Sequence, residues 1–303
     1  MSTYKGVTYT YFLNGICISS EIEFPELQLS YQSPTVSIKL GTVPNQIPDA
    51  FYIDVDEQIA ADHYLLDVDQ VAKYLVVGNS EVIIEPYDKA ESSVIRNCFL
   101  STVISVLLFK HDFLTLHSCA VEVGDKAVLF LGHSGAGKST TAFGLYTRGY
   151  AVLNEDISTI ELREQGIPFV FPGVSRIKLW SKSLECFDYS TSGFQQISKN
   201  IPKFNIPINR VSKETPIPIH KLIFLSVEDV KGIECKSLDG VELFALLKAN
   251  TFNEYLIHYL RKSSLHFNLI AGLMGRVTCF KITRPIGSEP KEFVDYIEAL
   301  ITV

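Results

Sequence analysis

The residues with the clearest chemical meaning lie near the middle of this 303-residue chain. Residues 132–139, Gly-His-Ser-Gly-Ala-Gly-Lys-Ser, match the pattern G-x-x-x-x-G-K-[ST] at every fixed position. The apolar run before them predicts a buried strand over 126–131, and the residues after them predict a helix over 139–147. A glycine motif between a buried strand and a helix predicts a loop that binds the phosphates of a nucleoside triphosphate.

Each residue type in this loop has a physical reason. The glycines let the backbone adopt conformations closed to other residues and bring its N–H groups against phosphate oxygens. Lys138 is expected to reach the β- and γ-phosphates of ATP, and the Ser139 hydroxyl to bind Mg²⁺. The alternative is a glycine-rich turn that only resembles the motif. The expected nucleotide-binding residues are Gly132, His133, Ser134, Gly135, Ala136, Gly137, Lys138, Ser139 and Thr140.

Two adjacent acids, Glu155 and Asp156, follow the strand predicted over 151–154. A phosphate-binding loop needs a carboxylate from a neighbouring strand to complete a Mg²⁺ site, and a kinase also needs a base for the accepting hydroxyl. Adjacent residues on an extended chain point to opposite faces, so one acid could face the metal and the other the acceptor. A solvated acidic turn is the alternative.

Three further residues have chemistry that the sequence leaves open. His117 ends its strand shortly before the loop and either contacts a carboxylate or the γ-phosphate, or is a core histidine satisfied by backbone. Arg176 follows a Pro-Gly turn and either clamps the transferred phosphate or is a surface cation. Trp180, the only tryptophan, is expected in the core rather than as a stacking platform for a nucleotide.

Missing motifs narrow the class of nucleotide-binding protein. The chain has no N-K-x-D motif, which a guanine-specific GTPase would show, and no L-S-G-G-Q segment of an ABC transporter ATPase. It also lacks the glycine-rich loop and H-R-D motif of eukaryotic-type protein kinases.

The elements that must position these residues fall into two regions, 1–90 and 91–303. The first is rich in Tyr, Val, Ile and Pro in short alternating runs and predicts antiparallel strands, among them 6–12, 35–40, 74–77 and 81–86. The second predicts strands over 113–123, 126–131, 151–154, 157–162, 220–226 and 276–283, and helices over 92–110, 139–147, 240–248, 252–259 and 291–301. Residues 190–214 are polar with scattered prolines and predict a mobile loop.

Composition excludes several other classes of protein. With 47% hydrophobic residues and a net charge of -7, the chain is neither a disordered regulator nor a basic binder of nucleic acid. Its six cysteines are spread singly, which predicts buried reduced thiols rather than a zinc site or a disulfide framework. The first residues lack the apolar segment of a secretory signal, and the apolar stretch 98–109 is expected to be too short to cross a bilayer. These features predict a soluble cytoplasmic protein without membrane contact.

The order and spacing of these segments resemble a known family. Leu116-His117-Ser118, then residues 132–139, then Asn154-Glu155-Asp156-Ile157 are similar to the catalytic core of HPr kinase/phosphorylase, whose pattern is a His-Gly strand, a G-x-S-G-x-G-K-S loop and an Asp-Asp pair. Residues 18–27, Ile-Ser-Ser-Glu-Ile-Glu-Phe-Pro-Glu-Leu, resemble the N-terminal segment of HPr-kinase-like proteins of bacterial biosynthetic clusters, including kinases that tailor lasso-peptide precursors.

The resemblance implies an α/β core like that of phosphoenolpyruvate carboxykinase and the C-terminal domain of HPr kinase, with a β-rich N-terminal region. Glu155 takes the position of the family's presumed base and Asp156 that of the second Asp, which with Ser139 is expected to bind Mg²⁺. His117 takes the family's histidine position, and Arg176 resembles an arginine used around the acceptor or phosphate. The family's R-G-L-G-type signature loop, tied to HPr recognition and phosphorolysis, has no match, which disfavours both.

Residues and resemblance together predict an ATP- and Mg²⁺-dependent kinase acting on a hydroxyl, in particular Ser, of a peptide or small protein such as a lasso-peptide precursor. The expected catalytic residues are His117, Lys138, Glu155, Asp156 and Arg176. Because the family that the chain resembles often forms oligomers, the resemblance also implies a homo-oligomer. The alternatives are a kinase for a small metabolite, an HPr serine kinase, a plain ATPase, and a nucleotide-sensing binding module with little turnover.

Overall fold

The computed structural model describes residues 7–174, 176–198, 201–208 and 214–302. It is a mixed α/β protein whose chain divides into two compact units. The first unit contains residues 7–115 and 252–268, and the second contains residues 116–251 and 269–302. The contact-based boundary therefore falls after Thr115, later than the residue 90 that the change in composition suggests.

A sheet of nine strands, counted over the described residues, dominates the first unit. Its spatial order is β3-β1-β2-β4-β9-β8-β7-β6-β5. The strands are β1 (Tyr9–Leu13), β2 (Ile16–Ser20), β3 (Gln28–Leu29), β4 (Val36–Leu40), β5 (Tyr52–Ile53), β6 (Glu57–Ile59), β7 (His63–Val68), β8 (Ala72–Val77) and β9 (Glu81–Pro86). Most neighbours are antiparallel, as short alternating runs predict, but β4 pairs parallel to both β2 and β9.

One long apolar helical segment packs within the first unit. It consists of α1 (Ser92–Cys98), a π-helical turn (Phe99–Val103) and α2 (Ile104–Lys110). The Tyr74 hydroxyl donates to the Ile95 carbonyl, and the Phe24 and Phe99 rings lie 5.2 Å apart. These contacts place the segment with the first unit rather than with the residues that follow it.

This segment matches the helix predicted over 92–110. Ser92–Lys110 is 19 residues long and, by length and composition only, long and apolar enough to cross a membrane. It exceeds the apolar stretch 98–109 because residues 92–97 of α1 precede that stretch and Lys110 follows it. The core helix of a soluble protein passes the same test, and more than half of this segment is buried.

The second unit is built on another sheet of nine strands over the residues that the structure describes. Its main order is β10-β14-β15-β19-β12-β11-β13, and β21 pairs with both β19 and β20. A separate three-stranded sheet has the order β16-β18-β17. The strands are β10 (Leu114–His117), β11 (Cys119–Val123), β12 (Lys126–Leu131), β13 (Ala151–Asn154), β14 (Ile157–Leu162), β15 (Pro168–Val170), β16 (Arg176–Trp180), β17 (Gln195–Ser198), β18 (Ile201–Pro207), β19 (Ile217–Glu228), β20 (Glu234–Ser237) and β21 (Thr278–Pro285).

Strand β12 lies in the interior of its sheet, which explains its unbroken apolar sequence. It pairs antiparallel to β11 and parallel to β19, and residues 127–131 are all buried. Helices cover the sheet: Gly144 and Phe143 of α3 pack against Phe187 and against Val294 of α8. The helices that follow α2 are α3 (Lys138–Tyr146), α4 (Ser181–Glu185), α5 (Gly240–Ala249), α6 (Tyr255–Tyr259), α7 (Ser263–Met274) and α8 (Pro290–Ile301), with a short 3-10 turn at Glu164–Gly166.

The sequence locates most of these elements and misplaces a few. The strand predicted over 113–123 is two strands, because the chain changes partners at Ser118: β10 pairs with β14, and β11 with β12 and β13. Helices α4 and α7, strands β15 to β18 and strand β20 are not anticipated. The predicted mobile loop 190–214 contains β17 and β18, while 199, 200 and 209–213 lie outside the described residues, as does residue 6 of the first predicted strand.

Candidate functional site

The glycine loop, residues 132–137, connects the carboxyl end of β12 to α3. Gly132, Gly135 and Gly137 have φ values of 134°, 86° and 106°, which side chains disfavour. A Cβ at Gly132 would lie 2.4 Å from the Leu225 carbonyl oxygen of β19. The loop therefore requires glycine at Gly132 both for its backbone conformation and for its close approach to the next strand.

Lys138 begins α3 and turns back onto the loop. Its side chain is buried, with the residue 7% exposed, and Nζ donates to the carbonyl oxygens of Gly132 at 2.7 Å and His133 at 3.4 Å. Burial lowers the pKa of Lys138, although the nearby Cys119, Asp156 and Glu155 favour its charged form. The ammonium group is thus held beside the loop by neutral acceptors, which leaves its charge available to an anion.

Ser139 and Glu155 are neighbours across the site. The Ser139 hydroxyl donates to Glu155 Oε1 at 3.0 Å, and Glu155 is buried. Burial and the charge of Asp156 raise the pKa of Glu155 to about 7. The neighbouring Asn154 holds the turn that carries Glu155. Its Nδ2 donates to the Phe171 carbonyl, and its Oδ1 accepts from the Ser158 hydroxyl.

Asp156 lies in a different electrostatic environment. Its backbone is left-handed, with φ 75°, and its carboxylate accepts from Lys178 Nζ at 2.6 Å, with His117 Nε2 at 3.6 Å. Burial acts to raise the pKa of Asp156, but the nearby His117 and Lys178 side chains hold it well below its usual range. The structure therefore brings His117, Glu155 and Asp156 together beside Lys138 and Ser139.

A cavity of about 400 Å³ lies over the glycine loop. Five of its lining residues are cationic and one is acidic, an excess of positive charge that suits a polyanionic ligand. The lining residues are His117, Cys119, Ser134, Gly135, Gly137, Lys138, Ser139, Thr140, Asp156, Lys178, Leu179, Trp180, Lys182, Ser183, Cys186, Lys203, Arg284 and Pro290.

The three-stranded sheet supplies one wall of this cavity. Trp180 of β16 is the direct cross-strand partner of Lys203 of β18, and Lys178 lies two residues before Trp180 on the same strand face. All three line the cavity. The expectation that Trp180 is a core residue is wrong: it is 50% exposed, because its strand face borders the cavity rather than the core.

Of the remaining predicted site residues, some line the cavity and others do not. Thr140 lines the cavity and its hydroxyl lies 3.0 Å from that of Ser183, whereas His133 and Ala136 are loop residues outside the described lining. Arg176 is buried at the start of β16, and it too is absent from the described lining. Its expected role as a phosphate clamp stays a prediction.

Metal binding at this site depends on the donor atoms that its side chains offer. Within the described ranges, no group of three His, Cys, Asp or Glu side chains could hold a metal ion. Mg²⁺ that arrives with a nucleotide takes one or two protein carboxylates and fills its other positions with phosphate oxygens and water. The adjacent oxygens of Ser139 and Glu155 fit that demand, since both are hard donors.

Sequence reasoning missed four cationic cavity residues: Lys178, Lys182, Lys203 and Arg284. The sequence did contain a signal for Lys178. It lies two residues from both Arg176 and Trp180 in a run typical of a strand, so the three residues share one strand face. Arg284 comes directly after the strand predicted over 276–283, where a side chain can reach the carboxyl edge of a sheet. Lys203 had no such signal, because its stretch reads as a polar loop.

The cysteines are partly buried and partly exposed. Cys17, Cys119 and Cys279 are buried, whereas Cys235 is exposed. Burial raises the pKa of Cys119 to about 12.

Comparison with known proteins gives little further information. No family model matches the chain, and no curated protein matches it. A solved structure described as the Hpr(Ser) kinase/phosphatase from Coxiella burnetii is similar, with 12% sequence identity and a TM-score of 0.31, over 61% of this chain and 94% of that one. Values this low assign neither a fold family nor an activity to the chain.

Proposed function

We propose that this protein is an ATP- and Mg²⁺-dependent kinase that transfers the γ-phosphoryl group to a hydroxyl of a peptide or small protein. One observation carries the proposal. Lys138 and Ser139, at the start of α3, line the same cationic cavity as Asp156. Glu155 lies beside them and accepts a hydrogen bond from Ser139. A binding module needs the glycine loop but has no need of two carboxyl groups facing it.

The glycine loop and α3 account for the nucleotide phosphates. Loop N–H groups and the positive end of α3 attract phosphate oxygens. Lys138 exchanges its two carbonyl partners for the β- and γ-phosphates, because an ionic bond to phosphate is stronger than one to a neutral carbonyl. Lys178 and Lys203 add positive charge from the wall that the three-stranded sheet supplies.

We assign Mg²⁺ to Ser139 and Glu155, because their oxygens are already in contact. Bound Mg²⁺ would neutralise charge on the β- and γ-phosphates. This assignment differs from the pattern implied by the family resemblance, which pairs Ser139 with Asp156. Glu155 must be ionised to act as a ligand, and its raised pKa means that metal binding releases a proton near neutral pH.

Asp156 then remains to orient and deprotonate the acceptor. It lines the cavity, it is ionised, and Lys178 and His117 fix its position. The acceptor oxygen bonds to the γ-phosphorus while the bond from that phosphorus to the β–γ bridging oxygen breaks. The electron pair leaves with ADP, and the hydroxyl proton moves to Asp156.

For the acceptor we propose a serine of a peptide, in particular a lasso-peptide precursor, in the cytoplasm where ATP is present. The half-exposed Trp180 offers an apolar surface for a side chain of such a peptide beside the phosphate loop. This choice rests on the sequence resemblance described above and on no contact in the structure.

Incubation with γ-labelled ATP, Mg²⁺ and a Ser-ended precursor peptide tests the proposal, with mass spectrometry to locate the added phosphate. Lys138→Ala and Asp156→Asn are expected to reduce transfer by at least a hundredfold. Lys236→Ala, which removes only an exposed ion pair with Glu242, serves as the control and retains activity. Transfer that survives both site substitutions contradicts the assignment. Phosphate release without any labelled acceptor indicates a plain ATPase.

A further inference from the structure

Arg284 lies at the carboxyl end of β21, beside the glycine loop. Strands β12, β19 and β21 are parallel neighbours, so their carboxyl ends meet at one edge of the sheet. The glycine loop leaves β12 at that edge, and Arg284 pairs there with Val227 of β19. Sheet topology alone therefore brings a guanidinium group from the end of the chain to the loop.

The contacts of Arg284 locate it more closely. An ideal Cβ on Gly137 would lie 3.7 Å from Arg284 Nη2 and 3.9 Å from Nε. Nη1 donates to the Ser288 hydroxyl at 3.0 Å, and the guanidinium lies 5.6 Å from the centre of the Phe293 ring. The side chain lines the cavity from a position next to the last glycine of the loop.

Arg284 has no carboxylate partner among the residues described. Burial lowers the pKa of Arg284, and no nearby charge acts in the opposite direction. Arg148 of the same unit shows the contrast, since it pairs with both Asp295 and Glu298. A half-buried cation without a counter-charge is unfavourable, and such groups persist where a ligand supplies the charge.

We propose that Arg284 binds the phosphate chain of the nucleotide on the Gly137 side of the cavity. The proposal rests on the nucleotide binding proposed above and adds a phosphate contact that the loop motif does not contain. The planar guanidinium donates to two phosphate oxygens at once, which a lysine cannot do.

Isothermal calorimetry with MgATP and with inorganic tripolyphosphate tests this contact. Arg284→Met keeps the apolar stem and removes the charge, and it is expected to weaken binding of both ligands at least tenfold. Lys281→Ala, which lies on the same strand in a surface ion pair with Glu228, is the matched control and stays within twofold of wild type. A loss confined to ATP contradicts a phosphate contact.

Thermal unfolding of the nucleotide-free protein separates this role from a structural one. Because the charge is unpaired, Arg284→Met is expected to unfold at the wild-type temperature or above it. If Arg284→Met unfolds at a lower temperature than wild type, the Arg284→Lys variant is measured instead. An affinity of Arg284→Lys for ATP that is severalfold weaker than that of wild type supports the proposal, and an unchanged affinity overturns it. Wild-type protein that binds no ATP overturns the proposed function itself. Wild-type binding that persists unchanged in Arg284→Met overturns only the role of Arg284.

Discussion

Glu155 and Asp156 are adjacent in the chain, yet their carboxyl groups have opposite tendencies to ionise. Glu155 is buried against Ser139 and bears the repulsion of Asp156, whereas Asp156 contacts Lys178 and His117. The backbone at Asp156 is left-handed, with φ 75°. A pair whose environments push the two pKa values apart is the arrangement that lets one carboxyl act on the acceptor and the other serve a different role.

At the residue scale, Glu155→Gln changes how stability depends on pH. The folded-state pKa of Glu155, about 7, exceeds its ordinary value of 4.5. The contribution of Glu155 to the stability of the wild-type protein is therefore fully present below pH 4.5 and is lost as the pH rises through 7. Glutamine does not ionise, so without metal the variant gains about 3 kcal/mol relative to wild type as the pH rises from 4.5 to 8. Urea unfolding in EDTA measures this difference. Exposed Glu242→Gln serves as the control, and parallel profiles for Glu155→Gln and wild type would contradict the prediction.

The cysteines give a second prediction at this scale. Cys119 lines the cavity, but its buried thiol stays protonated because its pKa is raised to about 12. Iodoacetamide at pH 8 is therefore expected to label exposed Cys235 at least tenfold faster than Cys119, as peptide mass spectrometry can measure. Equal rates would show that Cys119 is open to reagent and ionised.

At the scale of elements, the glycine loop is shaped by the strand beside it. Gly132 approaches the Leu225 carbonyl, and its N–H donates to Asn250 Oδ1 at 2.9 Å. Asn250 also holds His117 through a backbone hydrogen bond of 2.7 Å. The end of α5 thus positions both the loop and the histidine that contacts Asp156.

Gly132→Ala tests this arrangement. The added methyl would lie 2.4 Å from a backbone oxygen at a φ of 134°, so neither the neighbour nor the backbone can yield cheaply. We expect a loss of about 2–4 kcal/mol in the free energy of unfolding, measured by urea denaturation. Gly232→Ala is the control, since a Cβ there meets nothing within 4 Å. Equal stability of the two variants would contradict the close approach.

At the scale of the whole molecule, each unit is assembled from segments distant in sequence. In the first unit, Glu57 Oε1 accepts from the Tyr64 hydroxyl at 2.9 Å and from the Tyr255 hydroxyl at 2.7 Å. Tyr52 and Tyr259 add a ring contact with centroids 4.0 Å apart. Residues 252–268 therefore belong to a unit whose other members end at residue 115.

Glu57→Ala is expected to destabilise strand β7, which contains Tyr64, together with helix α6, which begins at Tyr255. Tyr64 is fully buried, so its hydroxyl would lose its partner at a cost of about 1–3 kcal/mol. Denaturation should show this loss, and hydrogen exchange should rise in residues 252–259 as well as in β7. Tyr255→Phe removes one bond without orphaning the buried hydroxyl and should cost less. Exchange that rises near residue 64 alone would argue against the coupling.

The sequence predicted the local elements of the site better than its surroundings. The apolar run 126–131, the glycine motif and the strands over 151–154 and 157–162 follow from near-neighbour patterns, and the structure confirms these elements. Trp180 and Lys203 were misjudged because their exposure depends on the pairing of β16 with β18. Arg284 was missed because it joins the loop through parallel pairing with a strand more than fifty residues earlier.

The sequence by itself determined that a glycine loop lies between a buried strand and a helix and that two acids follow the next strand. These features depend on residues a few positions apart, where periodicity and glycine chemistry act directly. Only the tertiary structure decided that Glu155 faces Ser139, that Asp156 faces Lys178, and that Arg284 stands by Gly137 with no carboxylate partner among the residues described. Such choices depend on sheet order and burial, because a side chain's charge and contacts are set by whatever the rest of the chain places beside it.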